Sequence, residues 1–161
     1  MVAPTPDPSA VHPLPPDALL ERAAERGREK GLAYHGEVTP TEAWALHRSG
    51  AARLVDVRTQ AESTYVGRVD GVPLVEWRSL GAAQTNPNFV EQLRECVDPS
   101  VPVMFLCRSG VRSHGAAELA TRAGWRIALN VLEGFEGDLD ADGHRGTMGG
   151  WRKAGLPWVQ S

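Results

Sequence analysis

Val103-Met104-Phe105-Leu106-Cys107-Arg108-Ser109-Gly110-Val111-Arg112-Ser113-His114 is the stretch whose reading decides the fold. Four apolar residues run straight into a cysteine, which opens a short loop holding two arginines and a glycine. Ala116-Ala117-Glu118-Leu119-Ala120 then suits a helix. A short apolar run bounded by turn residues reads as a strand buried on both faces. A buried strand that ends at a nucleophile, under the N-terminus of a helix, places a reactive thiol at the centre of an anion site.

Outward from this stretch, Phe89 to Val97 reads as a helix with Phe89, Leu93 and Cys96 on one face. Ser113 to Ala123 reads as the next helix, stopped by Gly124. Upstream, Thr39-Pro40-Thr41-Glu42 opens a helix. Thr39 caps it, Pro40 takes the first position and Glu42 lies three residues after the cap. Trp44, Ala45 and Leu46 form its apolar side, and Gly50 ends it. Ala61 to Tyr65 is helical or turn-like, and Trp151 to Ala154 suits a last short helix. Strand candidates are Glu37-Val38, Leu54-Val55-Asp56-Val57, Val72-Pro73-Leu74-Val75, Val103 to Leu106 and Trp125 to Val131. Strands alternating with helices give an α/β fold with a mostly parallel sheet covered on both faces.

A chain of 161 residues is sized for one domain with an extension. Six prolines in residues 3–16 make residues 1–16 an expected disordered tail. Asp17 is placed to cap a helix from about Ala18 to Lys30 that stops at Gly31, so residues 17–33 form a helical extension. Its narrow stripe of Leu19, Leu20 and Ala23 predicts docking on the domain rather than a part in the core. The domain proper is expected over residues 34–161. A net charge of -3 argues against nonspecific nucleic-acid binding. No run approaches the roughly 18 apolar residues of a membrane span, and Met1 to Pro16 lacks a secretory pattern. Two cysteines make no disulfide framework. Their spacing matches no zinc pattern, so a reducing cytoplasm, free thiols and no metal are expected.

Ligands of an open parallel sheet bind beyond the C-terminal ends of its strands, where Cys107 is expected. The thiolate is the nucleophile, and a free thiol ionises near pH 8.5, so the site must stabilise charge. Backbone amides from Arg108 to Ser113, the following helix N-terminus and the charges of Arg108 and Arg112 are the means available. Gly110 frees the loop backbone. A cysteine phosphatase needs an arginine after five intervening residues. Here Ser113 holds that place and Arg112 comes one position early. The tighter loop suits a smaller species carried on the cysteine itself, such as a persulfide.

At this point the sequence resembles the rhodanese family of sulfurtransferases over roughly residues 35–160. Leu54-Val55-Asp56-Val57-Arg58 with Glu62 is similar to the family's strand-end motif, and Gly67-Arg68-Val69-Asp70-Gly71-Val72 to its turn. Cys107-Arg108-Ser109-Gly110-Val111-Arg112 is similar to its six-residue active loop. Asn130-Val131, Leu132-Glu133-Gly134-Phe135 and Trp151 with Gly155-Leu156-Pro157 resemble its closing pattern. The resemblance implies a three-layer fold with a mostly parallel five-stranded sheet flanked by helices. Arg68 stands where the family has a turn histidine, and Phe135 where it has a second glycine.

The resemblance also implies a thiosulfate sulfurtransferase. Cys107 would take sulfur from a small anionic donor, hold it as a persulfide without any other cofactor, and pass it to cyanide, a thiol or a protein acceptor. Arg108, Ser109, Gly110, Val111, Arg112 and Ser113 would form the donor site, with Arg108 and Arg112 binding the anion. Ser113 is equally suited to cap the helix. Asp56, Arg58, Glu62 and Arg68 would support the loop, Asp56 by accepting loop amides and Arg58 by pairing with Glu62. The alternative is a persulfide carrier that delivers sulfur to a partner protein, docked through the N-terminal helix, with little turnover on free thiosulfate.

Overall fold

The computed structural model describes residues 12–160. Residues 1–11 of the expected tail lie outside the described residues. Helix α1 (Pro16–Lys30) begins earlier than expected, with Pro15 rather than Asp17 at the capping position. Proline's fixed φ and missing N–H suit a first helical residue.

Four strands form one parallel sheet: β1 (Gly36–Val38), β2 (Arg53–Asp56), β3 (Val103–Leu106) and β4 (Ala128–Val131), in the order β1-β4-β3-β2. Their apolar, β-branched runs suit burial on both faces. The expected fifth strand does not form. Beside β2 the segment around Leu74 makes one isolated bridge, to Asp56. Pro73 accepts from the Asp56 N–H at 2.9 Å but has no N–H of its own, so it confines the segment to a short edge contact. The run from Trp125 also joins the sheet late. Its first N–H turns back to Ala120 O and closes the preceding helix. Trp151 to Ala154 forms turns rather than a helix.

The remaining helices are α2 (Pro40–Ser49), α3 (Gln60–Tyr65), α4 (Phe89–Cys96) and α5 (Val111–Arg122). Period-two alternation along β3 builds three layers. Met104 and Leu106 pack with Leu19 of α1, Leu46 of α2, Phe135 and Trp151 on one side. Val103, Phe105 and Cys107 pack with Phe89 and Leu93 of α4 and Ala116 and Ala120 of α5 on the other. Cys107 is thus aimed toward α5 by the same alternation that buries its neighbours.

Helix α1 is part of the core rather than docked outside it. Leu19, Ala23, Ala24 and Gly27 are all buried. Its backbone lies directly on the chain at β1. A Cβ added at Gly36 would sit 1.8 Å from Ala23 O, and one at Gly27 would sit 2.3 Å from His35 O. Arg26 locks the junction. Its Nη1 donates to Glu37 O at 2.9 Å and to Glu42 Oε1 of α2 at 2.7 Å.

Candidate active site

Strand β3 ends at Leu106, and Cys107 follows at the C-terminal edge of the sheet, with 1% of its surface exposed. The loop turns at Gly110, whose φ of 107° is a left-handed conformation that glycine adopts without a Cβ penalty. That turn aims the Gly110 N–H at Cys107 Sγ, 3.0 Å away. Helix α5 then starts at Val111, two residues earlier than expected, so Ser113 lies inside it and does not cap it. The Ser113 hydroxyl points back instead. It lies 3.1 Å from Cys107 Sγ and donates to Asn130 Oδ1 of β4 at 2.6 Å.

The outer carbonyls of the loop are held from below. Cys107 O accepts from Phe135 N at 2.8 Å, and Arg108 O accepts from Glu136 N at 2.9 Å. Gly134 permits this close passage. A Cβ there would lie 2.5 Å from the Arg108 carbonyl. Phe135, in place of the expected glycine, fills the core beneath with no exposed surface.

Of the expected supporting residues, Asp56 and Arg58 pair with each other. Arg58 Nη2 donates to Asp56 Oδ2 at 2.7 Å and to Gly67 O at 2.7 Å, and its guanidinium lies 4.3 Å over the Phe135 ring. This overturns the expected pair of Arg58 with Glu62, because the Asp56 carboxylate already stands within reach of the buried guanidinium. Asp56 Oδ1 also accepts the Arg58 N–H at 2.9 Å. Glu62 closes the capping box of α3 with Thr59. It then receives both terminal nitrogens of Arg112, at 2.7 and 2.8 Å. Arg112, expected to bind donor, is therefore already engaged by a carboxylate. Burial acts to raise the Glu62 pKa, but the Arg112 guanidinium and Thr59 outweigh it and bring it down to about 2. The backbone of Arg68 pairs with Val159, and Arg68 is not among the residues around the loop's mouth.

A cavity of about 460 Å³ opens between the loop and the segment after Val75, lined by Glu62, Arg78, Leu80, Arg108, Arg112 and Glu136 among others. Glu62 is taken by Arg112, and Glu136 has Arg152 at 3.7 Å. Among the described residues, the guanidinium groups of Arg78 and Arg108 have no carboxylate partner. Arg78 is presented by a built segment. Trp77 packs edge-on to Phe89 at 5.1 Å, and Glu76 accepts the Gln60 N–H at 2.8 Å. The sequence reading missed Arg78, and its only signal is a basic residue next to a tryptophan. A second cavity, of about 350 Å³, lies on the other side of the loop beside Ser109, Gly110, Val111, His114 and Asn130. Cys96 stands apart, lining a cavity on the far side of the segment from Leu74 to Ser79, and both cysteines are free.

The site thus offers a buried sulfur with an amide directed at it and a hydroxyl oxygen beside it, next to a mouth with two arginines that have no carboxylate partner among the described residues. The Rhodanese-like domain family matches residues 39–141. The crystal structure of Rv0390 from M. tuberculosis is 50% identical, with a TM-score of 0.72 over 80% of this chain and 99% of that one. The protein RP600 of Rickettsia prowazekii (strain Madrid E) is 36% identical over 111 residues, 66% of this chain and 82% of its own length. The thiosulfate sulfurtransferase GlpE of Actinobacillus succinogenes is 26% identical over 121 residues, 75% of this chain and 87% of its own. A family match over residues 39–141, more than half of the chain, makes this protein a member of the rhodanese-like domain family.

Proposed function

We propose that the protein is a sulfurtransferase that carries sulfane sulfur on Cys107, with thiosulfate or a similar small anion as donor. The observation that carries the reading is the Cys107 sulfur itself. It stands at the end of the central strand with the Gly110 amide directed at it, in a loop flanked by arginines. The Cys107 thiolate attacks the outer sulfur of the donor. A bond forms between Sγ and that sulfur as the bond between the two donor sulfurs breaks, and sulfite leaves with the electron pair. An acceptor nucleophile, cyanide in the assay, then attacks the outer sulfur of the persulfide and restores the thiolate. Hydrogen bonds to an ionised sulfur are the stronger kind, which suits the Gly110 N–H to this role. The unpaired charges of Arg78 and Arg108 at the mouth suit the anionic donor and the anionic leaving group. Arg112 serves chiefly to fix the start of α5 against α3 through Glu62. No cofactor beyond the persulfide is invoked. A reducing cytoplasm suits this chemistry, since it keeps the Cys107 thiol available.

The test is thiocyanate formation from thiosulfate and cyanide, with intact-mass measurement of the protein after thiosulfate alone. The wild type should gain one sulfur on Cys107 and turn over, and Cys107→Ser should lose both. Full activity in Cys107→Ser would remove the mechanism. Loading without turnover would replace the enzyme reading with that of a persulfide carrier.

A further inference from the structure

The nucleophile's sulfur belongs to a hydrogen-bond chain whose direction can be read from its chemistry. Asn130, in the middle of β4, donates through Nδ2 to Gly110 O at 3.2 Å. A carbonyl accepts only, so the other amide atom, Oδ1, is the acceptor that faces Ser113. Ser113 has one proton, and at 2.6 Å it goes to that oxygen. What Ser113 turns toward Cys107 Sγ, 3.1 Å away, is therefore a lone pair. The partner that suits a lone pair is a thiol, donating S–H to Oγ. A thiolate or a persulfide anion in the same place calls for the opposite arrangement, with the hydroxyl proton on sulfur.

Asn130 is not free to turn over and relieve this. Beyond it the Tyr34 hydroxyl meets His114 Nδ1 at 2.7 Å, and His114 Nε2 meets Glu118 at 2.6 Å. Burial and then the Glu37 charge push the Tyr34 phenol up to about 12, so Tyr34 keeps its proton throughout the neutral range, and a turned-over Asn130 amide would set its oxygen against the Gly110 carbonyl. Asn130 itself is 4% exposed, and Ser113 has no exposed surface.

We propose that Asn130 is a positioning residue for Cys107: by taking the Ser113 proton it turns the Ser113 lone pair to the sulfur and holds the resting cysteine as a thiol. This rests on the reading of Cys107 as the sulfur-carrying nucleophile. Ionisation then has two parts. The thiol proton leaves to water, and Ser113 rotates about its Cβ–Oγ bond, moving its O–H from Asn130 to sulfur. The Asn130 bond is exchanged for one to a charged acceptor, which is the stronger kind. The resting arrangement thus suits the thiol, and a sulfur that becomes charged finds a hydroxyl able to turn onto it.

The charged groups facing Cys107 stay the same in the variants that test this. Arg108 lies in the loop, Arg112 on α5 with Glu62 of α3, and the Asp56–Arg58 pair at the end of β2. On the Asn130 side stand His114, Glu37 and Glu133.

The experiment follows alkylation of Cys107 by iodoacetamide across pH in the full chain, read by mass on the Cys107 peptide so that Cys96 is counted apart. Asn130→Ala frees the Ser113 proton for sulfur. The midpoint of the pH–rate curve should fall by about one pH unit, as loss of one hydrogen bond competing for that proton implies. In a Ser113→Ala background the same substitution should move nothing, because no hydroxyl remains to redirect. An unchanged midpoint in Asn130→Ala overturns the proposal, and so does a shift that survives in Ser113→Ala. A second measurement needs no change at Asn130. In Cys96→Ser protein, the infrared S–H stretch of Cys107 should lie at the lowered frequency of a donating thiol and return to the free position in Ser113→Ala. A free-thiol band before that substitution overturns the proposal. Neither readout depends on sulfur transfer. A wild type that forms no thiocyanate ends the enzyme reading and leaves these results to decide Asn130.

Discussion

Glu62 serves two elements with one carboxylate: it caps α3 and holds Arg112 of α5. Its folded-state pKa of about 2 lies below the roughly 4.3 of an unfolded chain. The folded state therefore favours the charged form. The stability this gives is present above the unfolded value and is lost as pH falls through about 2. Glu62→Gln should cost about 1–2 kcal/mol at pH 7, the range for a partly exposed, hydrogen-bonded pair. It should also flatten the acid side of the stability curve. Denaturant unfolding between pH 2 and 7 measures both, and equal stability at pH 7 would mean that the pair contributes nothing. The cysteine loop was legible in the sequence because its meaning is local: strand, cysteine, glycine and arginines are consecutive. The Arg112–Glu62 pair was not, because its partners are 50 positions apart. Two acids and two arginines stood within reach of several pairings, and only the packed ends of β2 and α3 choose among them. Asn130 was visible only as part of a motif, and its role depends on β4 lying beside β3 in register.

Helix α1 shows how much an element's place depends on residues that bury almost nothing. Its apolar stripe is narrow, and that width alone suggests a loosely docked helix. The contact is intimate because Gly27 and Gly36 let helix backbone and strand backbone meet. Mid-helix glycine is unfavourable unless packing requires it, so Gly27 was a signal in the sequence that pattern reading passed over. Gly36→Ala should therefore be severe, with its Cβ 1.8 Å from Ala23 O. We expect a loss of about 3 kcal/mol and a Tm lower by roughly 10 °C. Gly31→Ala, at a left-handed φ of 62° with nothing within 4 Å, should cost only about 1 kcal/mol. A thermal melt of the two variants separates backbone crowding from backbone strain. If Gly36→Ala melts no lower than Gly31→Ala, the helix is not pressed on the sheet as described. The layers themselves were legible from strand and helix periodicity. The missing fifth strand was not, because an apolar Val-Pro-Leu-Val run has strand composition while Pro73 denies it a ladder.

At the scale of the molecule the charge distribution opposes the charge total. The chain carries -3 overall, yet the carboxylates at the mouth of the site are answered by Arg112 and Arg152. The guanidinium groups of Arg78 and Arg108 face the cavity without such partners. A small dianion approaching the protein meets net repulsion at long range and attraction at the mouth. Because the Debye length is about 8 Å at physiological ionic strength, salt removes the long-range part first and the local part only as the screening length approaches contact. For thiosulfate, kcat/KM should therefore change little up to about 0.1 M salt and fall severalfold toward 1 M. Arg78→Ala should raise KM for thiosulfate about two- to fivefold, the effect of losing one exposed ionic contact, and leave kcat nearly unchanged. Arg78→Lys should restore most of the affinity, since an exposed cation acts here by charge rather than by forked geometry. A salt-independent kcat/KM together with a neutral Arg78→Ala would show that the donor does not enter across this cavity. Loading would then have to proceed past His114 and Asn130, on the opposite side of the loop.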